Sequence, residues 1–182
     1  MERKPEQVFD ELLIHRYRGG DRQAMDLLIR RWHEKLKRHI TRHTYEQEVA
    51  EDLAQEVWEV VLKGIYNLRQ PALFGIWAFR IASRKAVDWI RANQRKRKLE
   101  GELKYASEGE ESEDDRLIVL QRALKELPES QRMILMLYYL ERQQVAEISS
   151  ILEIPPGTVK SRLFHARKQL KEVINKVYHE DR

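Results

Sequence analysis

The sequence predicts an all-α chain of two small helical domains joined by a flexible acidic linker. Three observations carry that prediction. Apolar residues recur at steps of three and four along most of the 182 residues, the spacing of one buried helix face. Five prolines and seven glycines are few for a turn-rich all-β fold. Charge falls in three blocks, with a balance of +6 over residues 1–97, −5 over 98–118 and +3 over 119–182. Two basic blocks parted by an acidic one suggest two nucleic-acid-facing modules and a linker.

Residues 8–18 read as the first helix, stopped at Gly19 and Gly20. Asp21 is a fitting N-cap for a second helix, residues 22–41, whose Ala24, Leu27, Leu28, Trp32, Leu36 and Ile40 keep helical spacing and are expected in the core. His39 and His43 stand one turn apart, but no carboxylate or third histidine is close by in sequence, so a solvated or core role is expected and no metal. Residues 49–65 make a third helix with Val49, Leu53, Val57, Val60 and Val61 as its buried stripe. Glu48, Glu51, Asp52, Gln55, Glu56 and Glu59 fill the rest of its circumference, as either a solvated face or a docking surface for a basic partner helix.

Residues 67–75, NLRQPALFG, read as a loop interrupted by Pro71. The helix expected over residues 76–98 carries Arg80, Arg84, Asp88, Arg91 and Arg95 on one charged stripe, with Trp77, Ile81 and Val87 better placed for the core. Residues 80–98 hold eight basic side chains against one acid, and Trp77, Phe79 and Trp89 are interleaved with that charge. Rings beside cations suit single-stranded nucleic acid, whose bases stack while its backbone is neutralised. Residues 98–116 form the expected linker, with six acids in the eight residues 108–115. Fully extended it would reach roughly 65 Å at about 3.3–3.6 Å per residue, more than the roughly 34–36 Å of one duplex turn.

Residues 117–127 restart an amphipathic helix, and Pro128 suits the first turn of the next, in which Met133, Ile134, Leu137, Tyr138 and Leu140 are expected to pack inward. Val145, Ile148 and Leu152 then give a short helix one apolar face, and a turn falls at residues 153–156. From Gly157 the residues Val159, Leu163, Ala166, Leu170, Val173 and Val177 line one face of a longer helix. Its opposite face, residues 157–171, holds Lys160, Arg162, Arg167, Lys168 and Lys171 with no acid, and Thr158, Ser161 and His165 sit among them. A helix backed by a shorter one, with cations and short polar groups at its first turns, is the helix-turn-helix arrangement for a major groove.

Absences narrow the function further. No cysteine is present for disulfides or thiolate metal sites. The first residues lack an apolar signal region, and no run approaches a membrane span, so a cytoplasmic protein is expected. No phosphate-binding glycine loop, HExxH motif or nucleophile elbow occurs, so neither catalysis nor a cofactor nor a small-molecule substrate is expected.

Four stretches together resemble a family: AEDLAQEVW (50–58), WAFRIASRKAVDWIR (77–91), LPESQR (127–132) and EIPPGTVKSRLFHAR (153–167). They look like the signature stretches of bacterial extracytoplasmic-function sigma factors, in the family's order. The resemblance implies a region 2-like domain over 1–97, a linker over 98–116 and a region 4-like helix-turn-helix domain over 117–182. It implies binding to RNA polymerase core at its clamp coiled coil and flap, with Asp52, Leu53, Gln55 and Glu56 as the docking residues. It implies capture of the unpaired −10 promoter strand by Asn67, Trp77, Arg80, Arg84, Lys85 and Arg91. The −35 duplex would be read by Thr158, Lys160, Ser161, Arg162, His165, Arg167 and Lys168. Unstacking the −10 bases costs a few kcal/mol each, least in A·T-rich elements.

The family commonly has an anti-sigma factor, often membrane-bound, and its members gather on the nucleoid when bound to polymerase. This chain departs from the family at three places. Arg84 stands where Asn is usual, Gln144 where Ser or Thr caps the helix, and Glu153 where the turn commonly has Gly. A stand-alone helix-turn-helix regulator, or a sigma mimic that titrates an anti-sigma factor, would use only part of these features.

Overall fold

The computed structural model describes residues 4–99 and 115–180, which form helices joined by turns and short connecting stretches with no strand among them, and the chain divides into two compact units, Met1–Leu103 and Lys104–Arg182. Of the expected linker, residues 100–114 lie outside the described residues. The acid-rich run is therefore not described beyond its last residue, Asp115, which opens a helix.

The first unit holds α1 (Pro5–Arg18), α2 (Arg22–Thr44), α3 (Gln47–Gly64) and α4 (Phe74–Leu99), with two 3₁₀ turns, Ile65–Asn67 and Pro71–Leu73, between α3 and α4. Asp21 caps α2 as expected, its carboxylate accepting the Gln23 N–H at 3.0 Å. Gly20 takes φ +100°, a conformation open to glycine, so the chain reverses directly after α1. The core is built around Trp32, whose ring meets Phe74 at 5.6 Å and Phe79 at 5.8 Å, both edge-on. Its indole N–H donates to the buried Asp10 carboxylate at 3.1 Å, and the Arg31 guanidinium donates to the same group at 3.1 Å. That pairing satisfies a carboxylate 2% exposed and fastens α1 to α2.

Several inward expectations are corrected. Leu27 on α2 is 45% exposed and Val60 on α3 is 38% exposed, because the apolar stripes are wider than the surface their neighbours cover. On α4 the buried line is Phe74, Ala78, Phe79, Ala82, Ala86 and Ile90. Trp77, Ile81 and Val87 flank it, half-buried. The alanines let α4 lie close against α2 and α3. Phe79 is thereby a core ring, against Trp32 and, at 5.2 Å, His39. His39 and His43 are both buried, with His39 Nε2 and Ser83 Oγ sharing a hydrogen bond at 2.9 Å. The expected 67–75 loop is ordered by its two 3₁₀ turns, and Phe74 begins α4 wholly buried.

The second unit holds α5 (Asp115–Glu126), α6 (Glu129–Leu135), a π-helical turn (Met136–Leu140), α7 (Val145–Leu152) and α8 (Pro156–Glu180). Pro128 is the N-cap of α6, just before its first turn. The π turn, closed by Glu141 N–H to Met136 O at 3.0 Å, rotates the side chains that follow it. Met133, Ile134 and Leu137 are buried as expected, and so are Leu135 and Met136, but Tyr138 is half-buried and Leu140 is 49% exposed. Val159, Leu163 and Ala166 of α8 are buried, and Leu170 and Val173 half-buried.

Candidate nucleic-acid interface

The helix-turn-helix is made by α7 and α8. Gln144 caps α7, its backbone N–H donating to the Glu147 carboxylate at 2.7 Å and so satisfying an N-terminal donor. It ends at Glu153, which adopts the left-handed conformation (φ 55°, ψ 42°) and donates its N–H to Ser149 O. Ser149 Oγ donates to Ile154 O at 2.6 Å and closes the turn. Pro156 enters α8 in its first turn, where a missing N–H costs nothing.

With Val159, Leu163 and Ala166 facing inward, Lys160, Ser161, Arg162, His165, Arg167 and Lys168 are exposed, and Thr158 is half-buried. Ser161 Oγ donates back to Thr158 O at 3.1 Å. The Arg167 guanidinium lies over the rings of Tyr138 at 5.3 Å and Tyr139 at 5.5 Å. Sequence reasoning missed Phe164, which is 65% exposed amid these cations with its ring 5.4 Å from that of His165. The available signal was its place next to Leu163, off the three-and-four stripe.

In the first unit α3 and α4 pack together and present faces of opposite sign. Asp52, Gln55, Glu56 and Glu59 are exposed along α3, with Leu53 beneath them at 7% exposure. Glu51, expected on this face, is turned to α2 instead. Its carboxylate meets Lys37 at 2.6 Å and His33 at 3.3 Å, and the Lys37 hydrogen bond holds it below the usual carboxylate range. On α4, Arg84 and Arg91 are exposed, Arg80, Lys85 and Trp77 are half-buried, and Asn67 is exposed on the preceding 3₁₀ turn. The Trp77 ring packs over Gly64, where a Cβ would come within 2.9 Å of it. Lys85 bridges the two faces, its ammonium 2.5 Å from Glu56.

The anchoring of the 3₁₀ turn was also not legible in the sequence. Arg18 reaches from α1 to the carbonyls of Ile65 and Leu68, and the rings of Tyr17 and Tyr66 meet at 5.5 Å. Among the described residues, no group of three or more His, Asp or Glu gathers as a metal site, and no helix is long and apolar enough to cross a membrane.

Two family profiles match, Sigma-70 region 2 over residues 28–96 and Sigma-70 region 4 over residues 117–170. The chain is 31% identical to the ECF RNA polymerase sigma-E factor of Escherichia coli K12, over 91% of this chain and 94% of that protein. It is 27% identical to the RNA polymerase sigma-H factor of Pseudomonas aeruginosa PAO1, over 94% and 96%. Among solved structures, CnrH in complex with the cytosolic domain of CnrY is similar in fold, with a TM-score of 0.72 at 18% identity over 92% of this chain and 98% of that one. So is the sigma factor RpoE in complex with the anti-sigma factor NepR from Bartonella quintana, with a TM-score of 0.69 at 19% identity over 83% and 96%.

Proposed function

This chain belongs to the extracytoplasmic-function group of the sigma-70 family and directs transcription initiation as an alternative sigma factor, and on that premise we propose how its surfaces divide the work. The family is not an enzyme class, and the chemistry assigned here is recognition alone. The exposed Asp52, Gln55 and Glu56 of α3 dock on the clamp coiled coil of RNA polymerase core, with the buried Leu53 holding the helix from behind. Asn67 and the α4 residues Trp77, Arg80, Arg84, Lys85 and Arg91 capture the opened −10 strand. Thr158, Lys160, Ser161, Arg162, His165, Arg167 and Lys168 take the −35 duplex, and the exposed Phe164 suits a thymine methyl at the same groove. Region 2-like work falls to residues 1–97, region 4-like work and the polymerase flap to 117–182, and 98–116 joins them. The protein acts in the cytoplasm, at the nucleoid when bound to polymerase.

The observation that carries this reading is the pair of opposed faces on α3 and α4, one acidic with amides and one cationic with a half-buried indole. A stand-alone DNA regulator has no use for the first. A sigma mimic has no use for the exposed cations of α8. An anti-sigma factor is the proposed controlling partner, in line with the complexes in which the two solved chains of similar fold were captured.

The test is run-off transcription with purified polymerase core on genomic fragments, with and without the protein. Initiation from discrete sites only in the mixture is the expected result, and the start sites then report both promoter elements. Core binding without initiation would favour the mimic, and no core binding the stand-alone regulator.

A further inference from the structure

Arg18 is the last residue of α1, and three hydrogen bonds leave its guanidinium for a segment far along the chain. Nε donates to Ile65 O at 3.1 Å, and Nη2 donates to Ile65 O at 2.5 Å and to Leu68 O at 2.6 Å. These carbonyls lie where α3 has ended and a three-residue 3₁₀ turn closes, and the turn's own bond, Leu68 N–H to Ile65 O, is long at 3.4 Å. Carbonyls at such ends lack helical donors, so an outside donor sets where they stand. The two acceptors bracket Tyr66 and Asn67. The neighbouring Tyr17 holds the Tyr66 ring at 5.5 Å, leaving Asn67 exposed between two tethered points.

The tether is itself well anchored. α1 is fastened to α2 through Asp10, Arg31 and Trp32, and the reversal at Gly20 follows two residues after Arg18. The α3–α4 packing does not depend on it, since Phe74, Trp58, Ala78 and Ala82 are buried together on their own account. A planar fork meeting two carbonyls fixes direction as well as distance, which a single ammonium does not.

We propose that Arg18 is a positioning residue for strand capture: from α1 it holds the Ile65–Leu68 backbone so that Asn67 meets the unpaired −10 strand in one orientation. This rests on the −10 reading given above. Arg18 touches no DNA in this scheme and acts through Asn67.

The experiment uses the full chain with polymerase core, a promoter mapped by run-off, and single-base substitutions across its −10 element. Arg18→Ala is expected to keep core affinity and thermal melting while its discrimination among −10 bases falls by about tenfold, less than the roughly hundredfold cost of an ångström-scale misplacement. On an Asn67→Ala background, Arg18→Ala should cause no further loss of discrimination. Arg18→Lys keeps the charge without the fork and should stay close to Arg18→Ala.

Wild-type discrimination in Arg18→Ala would overturn the proposal, as would full rescue by Lys, which would mean that charge alone suffices. Parallel loss of core affinity and melting temperature would make Arg18 merely structural and overturn it too. A wild-type chain that initiates with no −10 preference would refute the strand-capture reading and the positioning role together. Failure of the variants alone refutes only the latter.

Discussion

Glu153 offers a direct measurement of what the turn of the helix-turn-helix costs. It is the first residue of the turn between α7 and α8, held at φ 55° and ψ 42° with a Cβ that the left-handed region disfavours. That conformation costs a non-glycine residue about 1–2 kcal/mol. Glycine removes the strain but adds roughly 0.4–1 kcal/mol of unfolded-chain freedom that folding must overcome. The difference leaves Glu153→Gly more stable by about 0.5–1 kcal/mol, or some 2–8 °C in the melting of a unit this size.

The assay can separate the two units, because Trp32, Trp58, Trp77 and Trp89 all lie in the first. Tryptophan fluorescence should melt unchanged, while calorimetry or amide exchange across α7 and α8 registers the gain. Glu153→Asn, which tolerates the same backbone, should show a smaller gain in the same direction. Glu153→Gly that leaves the second unit unchanged or weaker would refute the argument from backbone strain.

Three further outcomes follow from the same geometry. Glu56→Gln releases Lys85, and because an exposed pair is worth about 0–1 kcal/mol the melting temperature should hold while core affinity falls; a collapse in stability with core affinity intact would contradict the docking role. Burial pushes the Asp10 carboxyl above its usual 3.8, outweighing the hydrogen bonds from Trp32 and Arg31. The folded state then holds this proton more tightly than the unfolded chain, so the Asp10 contribution is greatest below the unfolded value and declines as pH rises through the folded one. Urea titrations at several pH values should therefore show stability falling less, or rising more, with pH in Asp10→Asn than in the wild type, and the opposite difference would count against the sign. On α8, Lys160→Ala and Arg162→Ala should each reduce the salt dependence of duplex binding by about 0.9 in log–log slope if they meet phosphates. Unchanged slopes would place the electrostatic contacts elsewhere.

The helices themselves, the Asp21 cap, the turn at residues 153–156 and the cationic face of α8 were all legible in the sequence. Each depends on groups within a few residues of one another: a 3.6-residue period, a side chain two positions from the N–H it accepts, a proline bounding its neighbour's backbone. The left-handed Glu153 was foreseeable for the same reason, since a family turn that favours glycine marks a position where any other side chain must bear the conformation.

Tertiary packing decided what periodicity leaves degenerate. An apolar stripe says which side of a helix turns inward but not how far the neighbouring helix reaches across it. Leu27, Val60 and Leu140 therefore came to the surface while Phe79 went into the core against Trp32 and His39. The π turn at Met136–Leu140 moved its register by a mechanism no residue pattern announced. The Arg18 clasp on carbonyls 47 and 50 positions away, and the Lys85–Glu56 bridge across 29, join groups that meet only once α1, α3 and α4 have packed. Their existence depends on crossing angles and backbone reach, which are properties of the folded unit rather than of any local stretch.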